Sequence, residues 1–86
     1  MKEIWKFTLK VTDDQSIAMP KGAKILSAQE QYGKPCIWAI VDPDAEEETR
    51  KFRIFGTGHP FDLDESSAEF IGTVQCGGLV WHIFAV

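Results

Sequence analysis

The stretch KILSAQEQYGKPCIWAIV, residues 24–41, decides the fold. Lys24–Gln31 and Pro35–Val41 flank Tyr32-Gly33-Lys34, the composition of a hairpin with a short glycine-containing loop. In the second arm Cys36, Trp38 and Ile40 share one face, while Ile37, Ala39 and Val41 take the other. Apolar residues on both sides mark a central strand, covered on both faces by the sheet partner or by another subunit. In the first arm the period of two places Leu26 and Ala28 on one face with Glu30.

Working outward, Trp5, Phe7, Leu9 and Val11 alternate with Lys6, Thr8 and Lys10, and Thr12-Asp13-Asp14 breaks that run. Gln15–Met19 is a short strand ended by the turn Pro20-Lys21-Gly22. The acidic segment Asp42–Glu48 reads as a solvated turn, without the fixed spacing and glycine of a calcium loop. Thr49–Phe55 is the next strand, with Phe52 and Ile54 facing one way and Lys51, Arg53 and Phe55 the other. Phe61–Ala68 is polar, acidic and irregular, the pattern of a loop. Glu69–Gln75 and Leu79–Val86 form a last hairpin around Cys76-Gly77-Gly78. Its second arm is apolar on both faces, Leu79, Trp81, Ile83 and Ala85 against Val80, His82, Phe84 and Val86. The expected fold is all-β, a small antiparallel β-sandwich or barrel of about seven short strands, forming a single domain over residues 1–86.

Composition narrows the function. A chain of 86 residues carries a small core, so a deep catalytic cleft is not expected and self-association is. The formal net charge of −4 tells against nucleic acid, whose binders present a basic face. Lys2, Lys6 and Lys10 read instead as protection of an edge strand. No apolar run approaches a membrane span, and the N-terminus lacks the apolar block of a signal peptide. A cytoplasmic location without membrane attachment is therefore expected. Cys36 and Cys76 make no metal motif with His59 and His82, and Cys36 reads as a small buried hydrophobe. No cofactor or metal is implied.

The most unusual segment is RIFGTGHP, residues 53–60. Glycines around Thr57 allow backbone N–H groups to converge on an anion. Arg53 would add a fork of donors and His59 a titratable one. Phe55, sharing a face with Lys51 and Arg53, is the best candidate for an exposed ring. The ligand-binding set is thus Arg53, Phe55, Thr57, Gly58 and His59, with Trp38 as an alternative stacking face for a base. The structural alternative is a tight turn in which glycine supplies positive φ and His59 closes the loop. His82, between Trp81 and Ile83, reads as a half-buried histidine satisfied by one hydrogen bond. No catalytic residue is indicated, since no nucleophile, base and orienting group are placed together by spacing.

Several blocks carry a resemblance: Met19-Pro20-Lys21-Gly22-Ala23-Lys24-Ile25-Leu26, Phe52–Pro60 with its GTGHP, Phe70–Gln75 and Val80–Phe84. Together they resemble a family of short proteins of bacteriophages, prophages and bacteria, a domain of unknown function. The family's members often have an aliphatic residue where this chain has Glu30, which implies a more exposed strand here. The resemblance supplies no catalytic residues and implies a phage accessory setting. Such proteins often inhibit or sequester host machinery, including anti-defence proteins that bind nucleotide messengers or block an effector. The expected function is stoichiometric sequestration of a host protein or of a small anionic, nucleotide-like ligand, without enzymatic activity. A structural or assembly protein is the alternative, and a small hydrolase using His59, His82 and the acidic turn comes third.

Overall fold

A computed structural model describes residues 1–86. The strands are β1 (Glu3–Thr8), β2 (Asp14–Pro20), β3 (Lys24–Gln31), β4 (Lys34–Val41), β5 (Glu47–Gly56), β6 (Glu69–Cys76) and β7 (Leu79–Ala85). They form a three-stranded sheet, β1-β4-β3, and a four-stranded sheet, β2-β5-β7-β6, antiparallel throughout. The sheets stack as an open sandwich, not a closed barrel. The thinnest extent of 17 Å fits two layers packed about 10 Å apart.

The strands apolar on both faces, β4 and β7, occupy central positions, β4 between β1 and β3 and β7 between β5 and β6. Ile37, Ala39 and Val41 point into the sandwich and are buried, meeting Met19, Phe52, Ile54, Val74 and Ile83 from the second sheet. Trp5 and Trp81 pack against this core. Trp38 and Ile40 are half-buried and lie on the other face of β4.

Local chemistry sets the chain reversals. Gln31 pairs with Lys34, so the first hairpin turns on Tyr32-Gly33 alone and Lys34 already belongs to β4. Tyr32 and Gly33 have φ of 55° and 79°, the pair of positive values that a type I′ turn requires. Glu30 accepts the Gly33 N–H at 2.6 Å, so the carboxylate is used to close the turn. The first strand stops at Thr8 rather than running to Val11, because the chain there crosses between sheets. Leu9 stays buried and donates to the Pro35 carbonyl, while Val11 is exposed. Gln15 clamps the crossing, accepting from Lys10 N at 3.0 Å and donating to Lys10 O at 2.7 Å.

The face assignment of β3 needs correction. A bulge between Ile25 and Ser27 sets Leu26 outside the ladder, so Leu26 is exposed while Ala28 turns inward opposite Ile37. A second bulge, between Phe70 and Gly72, sets Ile71 outside the ladder of β6, where it packs half-buried against the core and leaves Phe70 on the outer face. These shifts bring Ala28 against Gly72, and a Cβ on Gly72 would lie 3.1 Å from the Ala28 Cβ. The Ala28 Cβ is fixed to its strand and cannot rotate away. Gly72→Val therefore should force the sheets apart, destabilising the fold by about 1–3 kcal/mol. Gly72→Ala should be much milder, because relief of glycine's entropy penalty offsets the tight contact. Urea midpoints of the two variants test this ordering; equal midpoints would refute the close-approach role.

Candidate functional site: the outer face of the four-stranded sheet

Register builds this surface in rows. Arg53 pairs with Phe84 and Phe84 with Phe70; in the next row Phe55 pairs with His82 and His82 with Thr73. All lie on the face opposite the core residues Ile54, Ile83 and Val74. The segment after β5 then folds back over the rows. Phe61 reaches Phe55 and Phe84, with ring centroids 4.8 and 5.1 Å away. Phe84 also meets Phe55 at 5.8 Å and Phe70 at 5.4 Å, both edge-on. Edge-on and tilted contacts match the quadrupoles of the rings, each pair adding about 0.5–1.5 kcal/mol beyond area burial.

Phe55 is thus not the exposed ring expected from its face. It retains 7% exposure because Phe61 covers it and the Arg53 guanidinium lies 4.9 Å from its centroid. Phe70 and Phe61 are the exposed rings, at 56% and 39%. Neither was legible as a site residue, since Phe61 sits in an aperiodic segment and Phe70 is placed by a bulge. Phe84 was assignable to this face beside His82 by alternation, and cross-strand pairing with Phe70 is the added information.

The remaining candidates separate. Arg53 donates from Nε to the Asp13 carbonyl at 3.0 Å and from Nη2 to Asp62 at 2.8 Å. Its fork is directed to intramolecular acceptors, and it pins the 57–68 segment to β5. Gly58 has φ of 88°, and the His59 N–H donates to Gly56 O at 3.1 Å, which makes residues 56–59 a tight turn. The exposed His59 ring lies on Gly56, where a Cβ would come within 2.8 Å of it. Thr57 Oγ1 is 2.7 Å from His82 Nε2, and Thr73 Oγ1 is 3.0 Å from His82 Nδ1. His82 therefore has two partners, not one. Trp38 lies in the other sheet, where it pairs with Lys6 and Ser27, and the structure does not bring it to this surface.

Thr57, His82 and Thr73 have the outline of a nucleophile, a base and an orienting group. A neutral hydroxyl on Nδ1 lacks the carboxylate that would stabilise an imidazolium, so the arrangement suits a tether better than a base. The acidic turn is not part of this surface: Asp42 accepts the Asp44 N–H at 3.0 Å within its own loop. No cluster of His, Cys, Asp and Glu side chains converges as a metal site would require.

A single turn of 3₁₀ helix, Glu65–Ser67, borders the rings. Asp64 caps it, accepting from Ser66 N at 2.9 Å and Ser66 Oγ at 2.8 Å. The backbone and then the side-chain hydrogen bond from Ser66 hold the Asp64 carboxyl below the usual carboxylate range. Phe55, Thr57, His59, Phe61, Phe70, His82 and Phe84 line an open depression of about 260 Å³. Elsewhere, burial, with smaller contributions from Glu30 and Cys36, pushes the Cys76 thiol above its ordinary value, which disfavours the reactive thiolate.

Over residues 1–86 the chain matches a family model described as a domain of unknown function, DUF7352. The protein belongs to the DUF7352 family. No curated protein and no solved structure matches this DUF7352 chain. No helix of the chain is long and apolar enough to cross a membrane.

Proposed function

We propose that this DUF7352 protein is a non-enzymatic binding protein that occupies a partner protein stoichiometrically through the outer face of its four-stranded sheet. One observation carries the reading: Phe70 and Phe61 stand exposed on a base of packed rings, Phe55 and Phe84, that holds them rigid. Rigid aromatic side chains give large contact area at little entropy cost and dominate interface energetics. The depression is shallow and open, which suits a protein surface better than an engulfed small molecule. The pairing of Arg53 with Asp62 weighs in the same direction, because it removes the strongest anion donor from the ligand-binding set. The phage accessory setting, with inhibition of a host factor as the outcome, rests on the resemblance of the sequence blocks.

The test is a photo-cross-linking residue placed at position 70, with position 16 as the control. Ser16 lies on β2, at the far edge of the same sheet. In the producing cells, position 70 should give one discrete adduct with another protein at one-to-one stoichiometry, and position 16 none. Adducts only between copies of this chain would favour the assembly alternative, to which Ile4 and Leu26, exposed on the three-stranded sheet, would then contribute. Equal labelling from both positions would overturn the assignment of this face.

A further inference from the structure

We propose that the aromatic face reads a cationic side chain, above all an arginine flanked by apolar residues, on the partner protein; this rests on the docking face argued above. The molecule already shows this recognition chemistry internally. Arg53 lies over the Phe55 ring at 4.9 Å and pairs with Asp62 at 2.8 Å, a guanidinium held between an aromatic face and a carboxylate. The neighbouring trio Phe61, Phe84 and Glu65 repeats the two acceptor components at the surface. These residues line one shallow recess, with Glu65 and Phe61 exposed and Phe84 half-buried. The Asp64 cap fixes the turn that carries Glu65, so the carboxylate is delivered beside the rings by a hydrogen-bonded element.

Charge supports the same occupant. Glu65 stands exposed in the recess with Phe61 and Phe84, Asp64 is exposed next to it in the chain, and the one arginine of this face is already paired with Asp62. An anionic segment would meet this rim as a like charge, whereas an arginine gains both the ring quadrupole and the carboxylate. Planar guanidinium stacks on aromatic faces better than a compact ammonium, which is why arginine is favoured over lysine.

The experiment is a titration of the full-length, isotopically labelled protein, followed by amide chemical shifts. The probes are acetyl-Gly-Leu-Arg-Leu-Gly-amide and its counterpart with glutamine in place of arginine. The arginine peptide should saturably shift the amides of Phe61, Glu65 and Phe84 and bind about three- to tenfold tighter than the glutamine peptide at low salt. That preference should shrink in Glu65→Gln, which leaves the Asp64 cap intact, and in high salt. Equal affinity of the two peptides at these residues would overturn the cationic preference while leaving the docking face standing. Shifts confined to other parts of the molecule would overturn both.

Discussion

Replacing Phe52 by alanine is expected to leave much of the protein unfolded. Phe52 is fully buried in β5, with Gln15 of β2 and Ala85 of β7 as its neighbours across the sheet. It faces the three-stranded sheet within the cluster that includes Met19, Ile37 and Ile83. Truncation removes the transfer free energy of the ring and leaves a cavity whose walls are β-strands, which cannot collapse far. Such substitutions cost about 3–5 kcal/mol. A domain of this length has roughly 4–13 kcal/mol in total, so the loss is a large share of its stability. Trp5 and Trp81 pack against the core and supply the fluorescence signal. The urea midpoint should fall by about 1 M or more. A midpoint within error of the parent would mean that the two sheets do not share this core.

The same core explains which features could be read from sequence. β4 and β7 were legible as central strands because apolar residues run onto both faces, although in the structure the inner Ile37, Ala39, Val41 and Ile83 are buried while Trp38, Ile40 and Phe84 on the outer faces are half-buried. Tyr32-Gly33-Lys34 and Cys76-Gly77-Gly78 were legible as reversals because the positive φ at Gly33 and Gly77 favours glycine, and pairing of Lys34 with Gln31 and of Cys76 with Leu79 narrows each to two residues. The two bulges were not. Leu26 leaves the ladder at a bulge that accompanies the approach of Ala28 to Gly72 across the sheets, a contact between residues far apart in the chain. Parity placed Phe55 on the correct face but said nothing of cover, which comes from Phe61 in a segment with no periodicity. Arg53 was singled out for its donors, yet its partners Asp13 and Asp62 are chosen by the fold. Trp38 was grouped with Arg53 by residue type alone, and sheet membership separates them.

Phe70→Asp is the substitution that should divide function from stability. With 56% exposure, Phe70 contributes to folding chiefly through its edge contact with Phe84 at 5.4 Å. Losing that contact costs about 0.5–1.5 kcal/mol, so the variant should remain folded, with a modest fall in Tm. Its place in binding is different. An exposed ring that a partner covers becomes desolvated in the complex, and loss of such an anchor costs about 2 kcal/mol or more. That corresponds to a drop in affinity of roughly 30-fold. An aspartate adds a charge that must be desolvated on the same face as the exposed Glu65, so the effect should exceed simple truncation. The measurement is calorimetric titration of the partner captured at position 70, with Phe70→Ala and the buried-face variant Gly72→Ala alongside. The expected order is Gly72→Ala near the parent, then Phe70→Ala, then Phe70→Asp. If Phe70→Asp binds within about threefold of the parent, the partner is held elsewhere, and the exposed hydrophobic face of the three-stranded sheet becomes the surface to test.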